Sequence, residues 1–161
     1  MNRALRFALV GAILSALPAC EKREGRGSAA QAHGKHQHKA PHGGTPVVLG
    51  NETYHLELVR EAGAGILSAY ILDGEMENFI RVKAPSFEVV ATVGGGKRAL
   101  TFKAVANTAT GETVGDTSQF DAQADWLMST AAFDAVLTSL EIRGTKFEQV
   151  TFNFPKGNDK D

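Results

Sequence analysis

The chain has 161 residues, 17 of them basic and 18 acidic, with a single cysteine and a formal net charge of −1. That balance excludes the basic excess on which nucleic-acid binders rely, and one cysteine excludes an internal disulfide framework. An apolar core alone must hold the fold, within one domain of ordinary size.

Residues 1–19 read as an export signal. Arg3 and Arg6 supply the positive start and 7–17 the apolar run, about half the length a bilayer-crossing helix needs. Leu17-Pro18-Ala19-Cys20 resembles a bacterial lipobox, which implies cleavage before Cys20 and lipid attached to its sulfur and amine. Glu21 in place of Asp after that cysteine favours the outer membrane, facing the periplasm. Without Arg3 and Arg6 the mature chain carries 15 basic against 18 acidic residues, a net charge of −3. Residues 20–40 contain no large apolar side chain beyond the anchor and are rich in Gly, Ala, Gln, Lys and His. Such a stretch buries too little surface to offset the entropy of ordering, so a disordered tether is expected.

From Val47 onward the apolar pattern repeats every two residues, the signature of strands. Val47-Val48-Leu49 runs into the turn Gly50-Asn51-Glu52. In Tyr54-His55-Leu56-Glu57-Leu58-Val59 the apolar Tyr54, Leu56 and Leu58 share one face, and His55 and Glu57 the other. Residues 61–65 make a hairpin connection, 66–72 the returning strand, and Asp73-Gly74 the next turn. A short strand is expected at 79–82, with Pro85 marking a strand start or edge. Strands over 87–93 and 100–106 flank the glycine turn Gly94-Gly95-Gly96-Lys97, and 107–115 is polar and turn-rich. After Phe120, Asp121 is placed to cap a brief helical turn reaching Leu127. Residues 132–142 and 147–154 form a last hairpin around Arg143-Gly144-Thr145, and 157–161 should fray. About eight short strands with frequent glycine turns predict an all-β, antiparallel domain over 41–156, a sandwich or flattened barrel with at most a short helix.

The chemistry-bearing residues are few. His42 with His55-x-Glu57 is the first candidate metal site, because neutral imidazole and carboxylate suit Zn(II), Cu(II) or Ni(II). Residues at i and i+2 of a strand project from one face, and His42 reaches them if 41–46 runs antiparallel beside that strand, with Gly43-Gly44 permitting close approach. The plainer alternative leaves His55 and Glu57 on a solvated face. His33, His36 and His38 in the tether form a second candidate, since a His-rich tract collects transition metals. Trp126-Leu127-Met128, if extended, presents a Trp and a thioether together, as a Cu(I) site would use; ordinary core packing is the alternative. Enzyme chemistry is not expected. Ser68, Ser86 and Ser118 show no local activating partner, Glu75 and Glu77 read as a solvated turn, and the glycine run lacks the strand–loop–helix setting of a phosphate loop.

The strings Pro41-His42-Gly43-Gly44, Tyr54-His55-Leu56-Glu57-Leu58-Val59 and Tyr70-Ile71-Leu72-Asp73-Gly74 resemble small exported bacterial proteins, often lipoproteins. They are also similar to segments preceding the membrane-fusion subunits of heavy-metal efflux systems. The resemblance implies periplasmic metal handling beside an efflux pump, and by residue it points to His42, His55 and Glu57. A lipoprotein binding or buffering divalent metal is thus the first expectation. A metal-free module docking an envelope or efflux partner through a sheet edge is the second, and a hydrolase or carbohydrate-binding domain with a loop-built site the third. The anchor has a direct test: Cys20→Ala should release the protein from membranes or stall its processing, read by fractionation and the mass of the mature amino terminus.

Overall fold

The computed structural model describes residues 39–159. The export signal, Cys20, His33, His36, His38 and nearly all of the tether lie outside the described residues. Eight strands make one antiparallel sheet rolled into a nearly closed barrel: β1 (Thr45–Leu49), β2 (Tyr54–Glu61), β3 (Ile66–Asp73), β4 (Ser86–Val93), β5 (Gly96–Ala104), β6 (Gln119–Gln123), β7 (Phe133–Ile142) and β8 (Thr145–Phe154). Among the described residues a single short helix, α1 (Trp126–Ser129), separates β6 from β7. The expected all-β antiparallel domain is therefore present, in its rolled form. The β4–β5 and β7–β8 hairpins turn through Gly94-Gly95 and Arg143-Gly144, with φ positive at both residues of each pair. Two-residue loops of that kind match the right-handed twist of the strands they join.

The strands lie in the order β1-β2-β3-β6-β5-β4-β7-β8. The β3–β4 and β6–β7 connections each pass over two strands, making two overlapping Greek keys. Both crossings deliver apolar side chains to the core. Ile80 and Val82 come from the first and Leu127 from the second, joining strand residues such as Leu56, Leu58, Phe102 and Leu137. The Arg60 guanidinium fixes α1 by donating to the carbonyls of Leu127 at 2.7 Å and Met128 at 3.3 Å. Two local expectations are corrected here. Residues 79–82 form isolated bridges, Phe79 with Leu72 and Val82 with Thr117, in place of a continuous strand. Asp121 caps nothing: it lies within β6, opposite Ser68 and Lys103, and α1 starts only after Asp125. The wider sheet claims Asp121 because its neighbours Phe120 and Ala122 are needed in the core.

The barrel is sealed between β1 and the segment after β8 by a side chain acting as a strand residue. Asn158 accepts the Val48 N–H through Oδ1 at 2.7 Å and donates Nδ2 to the Val48 carbonyl at 3.1 Å. The Thr45 hydroxyl donates to the Pro155 carbonyl at 3.1 Å. Pro46 suits this edge, because alternation turns its missing N–H to the same side as that of Val48, away from β2. Gly157 is backed against the Pro46 carbonyl with φ of 78°, so a side chain has neither room nor a relaxed backbone there. Gly157 and Asn158 thus belong to the domain and do not fray, and the β1 edge is engaged at Val48. Asn158→Ala leaves both Val48 groups unpaired and should cost about 1–3 kcal/mol of stability. An unchanged denaturation midpoint would show that the seam holds without the amide.

Candidate functional site

Alternation along β2 sends Leu56 and Leu58 to the interior and His55 and Glu57 to the outer face, as their order dictates. Across the pairing with β3, His55 lies opposite Leu72 and Glu57 opposite Tyr70. That outer face is not open to water: His55 is 1% and Glu57 0% exposed. Over Glu57 the chain just before β1 folds back as a tight turn, with the Gly43 N–H donating to the Ala40 carbonyl at 3.0 Å. Gly43 takes a φ of 69°, which glycine adopts without strain. Gly44 sits so close to β2 that a Cβ would lie 2.6 Å from the Leu58 carbonyl oxygen and 2.8 Å from Glu57 Cγ. The Gly-Gly pair thus permits the close approach expected of it.

Three donors converge on the buried carboxylate. Glu57 Oε1 accepts the N–H groups of His42 at 2.7 Å and Gly44 at 2.9 Å, and Oε2 lies 2.8 Å from His42 Nδ1. An ionised carboxylate accepts and does not donate, so this bond puts the proton of a neutral imidazole on Nδ1 and leaves the lone pair on Nε2. The ring stacks on Tyr70 with centroids 4.0 Å apart and planes 21° from parallel. His42 is held by a carboxylate at one nitrogen and an aromatic face along its plane, while its side chain remains 38% exposed.

Of the three folded metal candidates, His42 and Glu57 come together, and His55 makes a separate contact, its Nδ1 lying 3.3 Å from the Asp73 carbonyl. Among the described residues no group of three or more His, Cys, Asp or Glu side chains is gathered for a metal ion. Trp126 and Met128 are two apart on a helix, not a strand, and so face different ways. Trp126 packs edge-on against Phe133 at 5.2 Å while Met128 is exposed. Ser118 does have a partner, six residues upstream: its hydroxyl donates to Glu112 Oε1 at 2.6 Å.

Glu112 organises the segment facing His42. Its Oε1 also accepts the Ser118 N–H at 2.9 Å, its Oε2 the Thr110 hydroxyl at 2.6 Å, and Arg81 Nε lies 3.7 Å away. Burial pushes the Glu112 carboxyl up, but the hydrogen bonds from Ser118 and Thr110 and the Arg81 charge together outweigh it and hold it below its ordinary value. Burial and the Asp121 charge push the Tyr70 phenol up, so it stays protonated at neutral pH. A cleft of about 340 Å³ is lined by His42, Tyr70 and Phe79 together with Asn107, Glu112 and Gln119 among others, Gln119 being the cross-strand partner of Tyr70. Nothing in the sequence assigned a site role to Tyr70, Phe79 or the 107–119 segment. The polar loop carried no motif, and the one available signal was Tyr70 on the outward face of β3.

Because the Glu112 carboxyl is held below its ordinary value, its contribution to stability is complete above about pH 4.3 and is lost as pH falls through the folded value. Glu112→Gln should therefore flatten the acid side of the stability–pH curve, measured by denaturant midpoints, with little change in its slope near pH 7.

Comparison with known proteins finds no matching family model, no matching curated protein and no matching solved structure, so the chemistry of these side chains is the ground on which function stands.

Proposed function

We propose that this is an envelope lipoprotein domain that binds a divalent transition metal, Zn(II), Cu(II) or Ni(II), with His42 as the ligand held by the folded part. The observation that supports the reading is the His42–Glu57 bond. Histidines that coordinate metals usually donate their second ring nitrogen to a carboxylate or carbonyl, which fixes the tautomer and raises ligand basicity. Glu57 does this for His42 at 2.8 Å, and the Tyr70 stack restrains the ring plane. The role of Glu57 is then to position His42, and His55, bonded to the Asp73 carbonyl, takes a structural part.

The remaining donors in this reading are His33, His36 and His38, four to nine residues before His42 in the chain. One preset imidazole lowers the total entropy cost of assembling the site, since a ligand already held by the fold costs nothing further to fix. Lipid attachment at Cys20 would keep the site at the membrane, beside the efflux machinery that the Pro-His-Gly-Gly resemblance implies.

Isothermal titration of the full chain with Zn(II), Cu(II) and Ni(II) tests this. Binding should raise the melting temperature, because a ligand taken only by the native state stabilises it. It should weaken at acid pH, because protons compete with the metal for the imidazole lone pair. His42→Ala should abolish the tightest binding, and Glu57→Gln should weaken it about 10–100-fold. His42→Ala binding as tightly as the parent chain would overturn the folded ligand.

A further inference from the structure

We propose that the cleft between Phe79 and the 107–119 segment binds a pyranose ring of a neutral carbohydrate. This goes beyond the metal reading and rests on Phe79, Asn107 and Gln119, with His42 and Tyr70 bordering both sites. Phe79 is 46% exposed, the one aromatic among the exposed large apolar residues described, the others being Val114 and Met128. Its backbone bridges to Leu72, and the Ile80 N–H that follows donates to the Ile71 carbonyl at 2.8 Å, so the ring stands on a fixed base. It meets His42 at 5.7 Å and 52°, and Tyr70 at 6.2 Å and 67°, giving an angled aromatic corner. An open ring face of this kind packs against the C–H face of a sugar, an apolar surface whose rim is hydroxylated.

The polar part of the lining supplies hydrogen bonds of both senses, Asn107 from the loop and Gln119 from beside Tyr70 in the sheet. Asn107 Oδ1 accepts the Ala109 N–H at 3.0 Å, which orients the amide and leaves its NH2 group for a ligand. The Gln119 NH2 donates to Asp121 at 3.3 Å, which leaves its carbonyl oxygen as an acceptor. A carboxamide donor and a carboxamide acceptor beside an aromatic face suit a ring carrying several hydroxyls.

Charge selects against the other occupants. Both Glu112 oxygens are filled by Ser118 and Thr110, with Arg81 beside them, so no free carboxylate awaits an organic cation. Arg81 is itself committed to Glu112, Asp116 and the Thr110 carbonyl, so no free cation awaits an anion. Glu57 is satisfied by His42 and Gly44. What remains is a neutral polar lining beside an aromatic one. The cleft, at about 340 Å³, lies at the lower end of small-molecule sites, room for one or two rings.

The test is saturation-transfer NMR on the full chain with the methyl pyranosides of glucose, galactose, mannose and N-acetylglucosamine. At least one should show transfer to its ring C–H protons. Phe79→Leu, which keeps the apolar volume but loses the flat face, should weaken that binding about tenfold, and Phe79→Trp should retain it. Gln119→Leu should weaken it independently. Metal uptake through His42 should be unchanged in Phe79→Leu, so the two readings fail separately. The proposal is overturned if no glycoside binds, if Phe79→Leu binds as the parent does, or if tetramethylammonium or inorganic phosphate occupies the cleft more tightly than every sugar.

Discussion

An ionised carboxylate buried outside a barrel wall, with no water to solvate it, costs several kcal/mol unless its lone pairs are filled. Glu57 is in that position, and the donors that fill it come from one short stretch, His42 to Gly44. Much else follows from meeting this demand. The chain must double back over β2 before entering β1. Residue 44 must be glycine to lie against the Leu58 carbonyl, and His42 must present Nδ1 inward and Nε2 outward. The Tyr70 stack follows too, because Tyr70 is the cross-strand neighbour of Glu57.

A second carboxylate does for the facing wall what Glu57 does for the first. Glu112 gathers Thr110, the backbone and hydroxyl of Ser118, and Arg81 from the β3–β4 crossing. A polar loop with little apolar content has no hydrophobic reason to adopt one shape, and here hydrogen bonds to a charged acceptor supply the reason. Two loops, each wrapped on its own glutamate, face one another across the cleft. The cleft is therefore shaped by polar chemistry on the outside of a barrel whose interior is packed mainly with apolar side chains.

The barrel makes this arrangement rigid enough to be useful. Antiparallel pairing runs from β1 to β8, and the one break in the cycle is bridged by the Asn158 amide at Val48. Closing a sheet removes the edges at which strands slip or associate. The first Greek-key crossing carries Ile80 and Val82 into the core and Phe79 to the cleft, so burying one face of 79–82 positions the other.

Period-two alternation, glycine turns and the lack of long apolar helical stretches determined an all-β antiparallel domain, and they placed most hairpins correctly. The same alternation told which residues share a face: Leu56 and Leu58 on one, His55 and Glu57 on the other. It also made the approach of the Pro-His-Gly-Gly segment to that second face legible, since two glycines beside a histidine imply close packing. Alternation cannot say whether a face is covered, because cover comes from chain distant in sequence. Only the tertiary structure decided that the polar face of β2 is buried, with His42 closing over Glu57 and His55 turning to Asp73. It alone decided that the tail seals the barrel, since Asn158 meets Val48 across 110 residues. And it alone brought Glu112, Ser118 and Gln119 into one cleft with His42 and Phe79. Each of those meetings depends on how the sheet rolls and which loops cross it, and that is settled by the packing of the whole core, not by any local run of residues.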